Sequence, residues 1–292
     1  MCCKHFSFHR NNAIGYKKRA DGIWISSASR IVRVVLRVDA SAEVGFGHLS
    51  RCMNLAEVLR SRGKDVSFVC RDDEAKSFRV LQDRLFATVL LPKLKAGEVA
   101  SQQEDAQQTF QALQGKRPEW LIVDSYSLDK VWQRLMRPHV AKIAVIEDLS
   151  GREHDCDLLI DQNYSERSAI TYKNFVPDTC ELLLGPRFAL IGDEFRRLRT
   201  MKTKPASELK RIFVFCGGSD PQNLTKQVID EISCSEIDNV EVDVIVGAQN
   251  MSFDREGARK VNKNIEFHDA GPEFAGILNS ADLAIGAGGT TS

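Results

Sequence analysis

The sequence predicts an α/β protein made of two successive strand-and-helix units, and three observations carry that prediction. Short apolar strand candidates alternate with amphipathic helical stretches from Ile31 onward, the pattern of a largely parallel sheet covered on both faces. A strand, a glycine loop and a helix at residues 34–59 recur as a set from Arg211, after a charged and turn-prone stretch. The length, 292 residues, suits two domains of ordinary size. The expected boundaries are 1–30 for a disordered or spurious extension, 31–195 for the first domain, 196–209 for a linker and 210–292 for the second domain.

Composition excludes several classes. Apolar residues make up 43% of the chain, yet no run approaches the roughly 20 apolar residues of a membrane span. Forty basic residues balance forty acidic ones, so net charge gives no footprint for nucleic acid or an anionic membrane. Residues 1–30 lack the apolar core of a secretory signal. Eight cysteines are scattered without a C-x-x-C pair or zinc-type spacing. Cys52, Cys70, Cys156 and Cys216 sit in apolar periodic segments and are read as reduced core thiols. A soluble protein of a reducing, cytoplasmic compartment is read from these features.

The first unit opens on the β-branched run Val34–Val38, which leads through Asp39 to Gly45, Gly47 and a helical pattern from His48. Leu49, Cys52, Met53, Leu55, Ala56 and Leu59 recur at three- and four-residue spacing, the mark of one buried helix face. Two glycines in a strand-to-helix turn let a ligand approach the backbone, and free N–H groups at a helix start favour an anion. His48 and Arg51 lie three apart on the first turn, on one side of the helix. An ordinary turn with surface side chains also explains the glycines. The strand–loop–helix context makes His48 the leading functional candidate.

Further strands are read at Val66–Cys70, Thr88–Leu91, Trp120–Asp124, Lys142–Ile146, Leu158–Asp161 and Glu181–Leu184, with helices at His48–Arg60, Glu104–Leu113 and Lys130–Met136. Ligands of such folds gather at the carboxyl ends of the strands, which points to Asp39–His48, Asp124–Tyr126 and Glu147–Asp148. Asp124 and Tyr126, two apart, leave one face of a continuing strand. They either hold a sugar or orient a catalytic group, or they are a helix cap and a packed tyrosine. Glu147, Asp148, Asp155 and Asp157 with His154 suggest a metal, but their spacing matches no ligand pattern and a solvated loop is expected.

The second unit begins with the strand Arg211–Cys216 and the turn Gly217–Pro221, followed by a helix over Leu224–Ile232. Strands at Val242–Val246, Ile265–His268 and Leu283–Ile285 follow, with a helix at Phe274–Leu278 before the last. The final Gly286–Ser292 is a Gly-Thr loop of the kind that cradles phosphate. A Gly-rich turn after a buried strand calls for a helix to cover the sheet, so the chain is read as truncated at its C-terminus.

Taken together, these loops carry a resemblance. Val38-Asp-Ala-Ser with Gly45-Phe-Gly-His48-Leu-Ser-Arg51-Cys resembles the opening motif of the PseG family, the UDP-2,4-diacetamido-2,4,6-trideoxy-β-L-altropyranose hydrolases of pseudaminic acid biosynthesis. Val123-Asp-Ser-Tyr126, Asp155–Asn163, Leu184–Leu190, Cys216–Pro221 and Ala287–Thr291 resemble it in the same order, over roughly residues 32 to 292. The resemblance implies two Rossmann-like domains in a glycosyltransferase-B arrangement, the second incomplete here. It implies a monomer acting on a small molecule, hydrolysing a UDP-sugar to UDP and free sugar with no metal and no cofactor, and with His48 as catalytic base. Asp39, Gly45, Gly47, Arg51, Asp124 and Tyr126 form the expected substrate-binding set. Gly217, Gly218, Ser219, Asp220, Asn223, Gly288, Gly289, Thr290 and Thr291 form the expected nucleotide-binding set. Arg51 is assigned to a phosphate in preference to an acid of its own surface. A MurG-type glycosyltransferase and an inactive fragment are the alternatives.

Overall fold

The computed structural model describes residues 16–18, 24–26, 31–39, 47–71, 76–94, 100–164, 168–201, 208–218, 220, 222–235, 239–247, 250, 253–261, 264–271 and 273–287. Near the start, β1 (Tyr16–Lys18) and β2 (Trp24–Ser26) pair antiparallel. The sequence offered no periodicity there, because a three-residue strand is too short to show one.

The first large sheet collects β3 (Arg33–Val38), β4 (Asp65–Cys70), β5 (Ala87–Leu90), β6 (Trp120–Asp124), β7 (Lys142–Ile146), β8 (Leu158–Asp161) and β9 (Glu181–Leu184). Its seven strands are all parallel, in the order β5-β4-β3-β6-β7-β8-β9. The chain starts in the middle, runs outward to β5, and returns to add β6 on the other side of β3. The order therefore reverses between β3 and β6, the place where such sheets open a crevice for ligands.

Side chains of a strand alternate between faces, so each face acquires its own core. Val34, Leu36 and Val38 share one face with Phe68, Cys70, Ile122, Ala144, Ile146 and Ile160, covered by Leu49, Cys52, Met53 and Ala56 of α1 (Gly47–Ser61). Val35, Val69, Leu121, Val123, Ile143, Val145 and Leu159 share the other. Ala106 of α3 (Gln102–Ala112), Trp132 and Met136 of α4 (Lys130–Met136), and Tyr172 of α5 (Ser168–Lys173) cover it; α2 is Lys76–Asp83. Ser101 caps α3 by accepting from the Glu104 amide at 3.1 Å, and Asp129 caps α4 by accepting from Val131 at 2.8 Å.

One inward position of β3 is charged. Arg37 is 1% exposed and reaches Asp105 of α3 with Nη2 at 2.6 Å and Nε at 3.2 Å, while Nη1 bonds Asp39. Asp105 also takes the Trp132 indole N–H and Arg71 Nη2, each at 2.9 Å. A buried charge is tolerated only when fully paired, and this network meets that condition at the end of β3.

The second large sheet holds β10 (Arg211–Phe215), β11 (Glu241–Val246), β12 (Ile265–Asp269) and β13 (Leu283–Gly286). Its order, β12-β11-β10-β13, is again parallel and again reverses beside its first strand. α7 (Leu224–Cys234) and α8 (Arg255–Val261) cover one face. α9 (Phe274–Ser280) covers part of the other, with Phe274 edge-on to Phe213 and Phe215 at 5.3 and 5.0 Å.

α6 (Asp193–Met201) takes in the first part, 196–201, of the stretch expected to be a linker. It packs on α9, and Phe195 meets Phe274 at 6.1 Å between ring centroids. The charge-rich sequence Arg196-Arg-Leu-Arg, which reads equally as a linker or an exposed helix end, belongs to this helix. A cavity of about 600 Å³ opens between these helices, lined by Glu194, Arg197, Leu198, Glu273, Ala275, Gly276 and Ile277. None of the expected catalytic residues lines it. No helix among the described residues is long and apolar enough to cross a membrane.

Candidate active site

Four polar side chains converge at the carboxyl ends of β3, β6 and β7. Asp124 ends β6 and is the register partner of Val38, the last residue of β3. α1 starts a short connection later, at Gly47. Its apolar face must lie on the sheet, which turns His48, Arg51 and Cys52, at spacings of three and four, toward Asp124. The geometry is close. His48 Nδ1 lies 2.5 Å from Asp124 Oδ1, and Arg51 grips both carboxylate oxygens through Nε and Nη2, each at 2.6 Å. Arg51 Nη2 is also 3.2 Å from His48 Nδ1, and the Cys52 thiol donates to Asp124 Oδ2 at 3.4 Å. From the end of β7, Asp148 Oδ2 accepts from Arg51 Nη1 at 2.8 Å.

Burial alone disfavours a carboxylate, but the hydrogen bonds from Arg51 and His48 outweigh it and hold Asp124 below the usual carboxyl range. Burial likewise opposes the Arg51 charge, and Asp124, then Asp148, overcome it and keep the guanidinium protonated. Burial, followed by the Asp124 carboxylate, pushes the Cys52 thiol well up. Tyr126 stands over the site with its ring edge-on to His48, 4.6 Å between centroids. Burial and then Asp148 push its phenol up to about 12. Asp148 Oδ1 is buried without a hydrogen-bond partner of normal geometry among the described residues, beside the Tyr126 phenol.

Several expectations change here. Arg51 is 3% exposed and bonded to two carboxylates, so it braces the site and is not a free cation for phosphate. Asp124 does not cap the following helix; Asp129 does. Asp39 is held by Arg37 and by the Arg71 amide at 2.9 Å, an anchor for the chain leaving β3. The acidic cluster is not the solvated loop expected, because its carboxylates are paired with cations of the protein. Glu147 is 1% exposed and accepts from His154 Nε2 at 2.8 Å, Arg152 Nε at 2.9 Å and the Leu149 amide at 2.7 Å. These bonds overcome burial and hold Glu147 below the usual range. Asp155 and Asp157 pair with Arg137 at 3.2 and 2.5 Å. Sequence spacing showed the acids, but their cations are 5 to 20 positions away. Asp148 could have been found, because the strand-end rule pointed to Glu147–Asp148.

In the second sheet, Gly217 follows β10 with φ +100°, a conformation that strains any side chain. Gly218 follows it, and the two carbonyls press on Gly247 after β11, where an added Cβ would lie 2.4 and 2.2 Å from them. Nothing in the sequence marked Gly247. Asp220 is buried and accepts from the Leu224 and Thr225 amides at 2.8 and 2.9 Å. It therefore occupies the start of α7. Asn223, at φ 52°, makes no side-chain cap. Gly45, Ser219, Gly288, Gly289, Thr290 and Thr291 lie outside the described residues. Among the described residues, Asp243, Glu266 and His268 have ligand atoms within 4.8 Å of one another. Asp243 is already bonded to Arg211 Nε at 2.5 Å and His268 Nε2 at 2.8 Å, an ion-paired arrangement that a cation would have to break.

Two parallel sheets with the same reversal beside their first strands define an α/β protein of Rossmann-like units in the glycosyltransferase-B manner. Solved structures share the fold. MurG from Acinetobacter baumannii matches with a TM-score of 0.56 at 12% identity, over 89% of this chain and 74% of that one. The UDP-GlcNAc 2-epimerase from Neisseria meningitidis matches at 0.51 and 9% identity, over 87% and 77%.

The chain resembles the UDP-2,4-diacetamido-2,4,6-trideoxy-β-L-altropyranose hydrolase of Campylobacter jejuni, 26% identical over 256 residues, 87% of this chain and 84% of that protein. This is the resemblance its motifs carry. It is also similar to the spore coat polysaccharide biosynthesis protein SpsG of Bacillus subtilis, 22% identical over 264 residues, 88% and 72% of the two chains. No family model matches.

Proposed function

We propose that this chain is a UDP-sugar-processing enzyme that hydrolyses UDP-2,4-diacetamido-2,4,6-trideoxy-β-L-altropyranose to UDP and the free sugar, with His48 as general base. The carrying observation is the His48–Asp124 pair, 2.5 Å apart at the switch point of the sheet and braced by Arg51. The similarity to the Campylobacter hydrolase supports the choice of substrate.

Asp124, held as a carboxylate, accepts the Nδ1 proton of His48 and so leaves the Nε2 lone pair for a water proton. The water oxygen bonds to the anomeric carbon as the bond to the UDP oxygen breaks, and UDP leaves with that electron pair. The imidazolium formed lies against Asp124, which offsets its charge. Gly217, Gly218, Ser219 and Gly288–Thr291 are assigned to the diphosphate, whose growing charge backbone amides stabilise. Tyr126 and Asp148 are assigned to the sugar, with Asp148 Oδ1 an acceptor for an N–H or O–H.

The test is incubation with this UDP-sugar in water labelled with heavy oxygen. Label in the sugar and none in UDP is expected. His48→Ala is expected to lose roughly 10²- to 10⁴-fold in turnover while UDP still binds. Full turnover by His48→Ala would overturn the assignment of the base. UDP release that requires an added acceptor sugar would replace hydrolysis with glycosyl transfer.

A further inference from the structure

Two thiols face each other away from the catalytic cluster. Cys156 is 1% exposed in the chain leading into β8, and Cys180, half-buried, immediately precedes β9; their sulfurs stand 3.6 Å apart. β8 and β9 are neighbours in register, Leu158 opposite Glu181, so the ladder fixes the approach of the pair. A disulfide sets the sulfurs about 2.05 Å apart, and the remaining gap of about 1.5 Å is within reach of small side-chain rotations.

We propose that Cys156 and Cys180 are a redox-active dithiol that reacts with a hydroperoxide and closes to an intramolecular disulfide within the folded protein. Cys180 is the attacking sulfur, because it is the more exposed of the two. The hydrogen bond from Cys156 holds the Cys180 thiol below its ordinary range, while that same bond and burial hold Cys156 above it. A lowered, reachable thiol beside a buried partner is the pattern of a sensor cysteine with its resolving cysteine. Nearby, Arg137 bonds the Asp155 carbonyl at 2.6 Å, but its charge is met by Asp155 and Asp157, so the Cys156 hydrogen bond is the cause that lowers Cys180.

In the first step the Cys180 sulfur attacks one peroxide oxygen and the O–O bond breaks. Cys180 becomes a sulfenic acid, and the departing oxygen leaves as water or alcohol with the thiol proton. In the second, Cys156 loses its proton and attacks the Cys180 sulfur. The S–S bond forms as the S–O bond breaks, and the hydroxide leaves as water with that proton. The two thiols lose two electrons in total, and the peroxide gains them.

The closed loop joins residues 24 apart. It encloses β8, α5 and Asp161, whose carboxylate accepts the Tyr172 hydroxyl at 2.9 Å. Closing this loop restricts the unfolded chain, so the oxidised form is expected to be the more stable.

The experiment treats the full chain in native buffer with hydrogen peroxide, blocks remaining thiols, and maps linked peptides by mass. The expected product has lost two hydrogen atoms, joins Cys156 to Cys180, and melts higher by roughly 5 °C. Cys156→Ser is expected to stop at a Cys180 sulfenic acid captured by dimedone, and Cys180→Ser to form neither product at Cys156. Equal melting of the reduced variants and wild type shows that serine leaves the fold intact. Two outcomes overturn the proposal: both thiols still open to alkylation after native oxidation, or links that form only in urea or only through Cys2, Cys3 or Cys234.

Discussion

Asp124 connects the chemistry of the site to its stability. Its two oxygens take His48 Nδ1, Arg51 Nε and Arg51 Nη2 within 2.6 Å. Replacing Asp124 with alanine leaves the buried Arg51 with Asp148 alone, and losing one partner of a buried pair costs about 3–5 kcal/mol. Urea unfolding at neutral pH reads this, and an unchanged midpoint counts against the brace. Asp124→Asn keeps the shape but replaces one carboxylate oxygen with an N–H donor. Turnover is then expected to fall roughly 10²-fold or more, with UDP affinity unaltered; single-turnover assays and calorimetry separate the two effects.

At the scale of elements, the turn after β10 and the end of β11 are packed backbone to backbone. Gly247→Ala would set a methyl 2.2 Å from the Gly218 carbonyl, and a backbone atom cannot rotate aside as a side chain can. The Gly217–Gly218 turn must shift, so UDP affinity is expected to drop about tenfold or more, a change of about 1.4 kcal/mol, with the first sheet unaffected. Calorimetric titration with UDP checks it. Unaltered affinity removes this turn from nucleotide recognition. On β3, Arg37→Met replaces a paired cation with an apolar chain of similar length and leaves Asp39 and Asp105 without the cation they share, with only Arg71 and Trp132 still bonded to them. The expected loss is about 3 kcal/mol, seen as an earlier urea midpoint.

For the whole molecule, three buried carboxylates set the response to acid. Asp105, Asp124 and Glu147 are all held below their ordinary range in the folded state, each by hydrogen bonds and cations that outweigh burial. Such groups contribute stability that is present above the unfolded carboxyl range, about 4, and is lost as pH falls through their folded values. Stability is therefore expected to be level from pH 7 to about 5 and to decline steeply below about 4. Urea midpoints across that range test this, and a level profile to pH 3 would contradict it. Tyr126 acts at the alkaline end. Its pKa is raised to about 12 in the fold against about 10 unfolded, so its contribution is lost as pH rises between these values.

The sequence by itself determined most of the element list and the class of fold. Strands such as Trp120–Asp124, Lys142–Ile146 and Leu158–Asp161 fall where the apolar runs predict them, because a strand buried on both faces must be continuously apolar. It also brought His48, Asp124 and Tyr126 forward, because loops at the carboxyl ends of parallel strands face the crevice. Only the tertiary structure decided which charges meet. Arg51 finds Asp124 and Asp148 73 and 97 residues away, and Arg37 finds Asp105 68 residues away. No local spacing encodes such pairs. They depend on strand order, since β6 lies beside β3 only after the chain has gone out to β5 and returned. The charged stretch from Arg196 left a linker and an exposed helix end both open, and the choice rests on a neighbour, α9, that its own residues do not reveal.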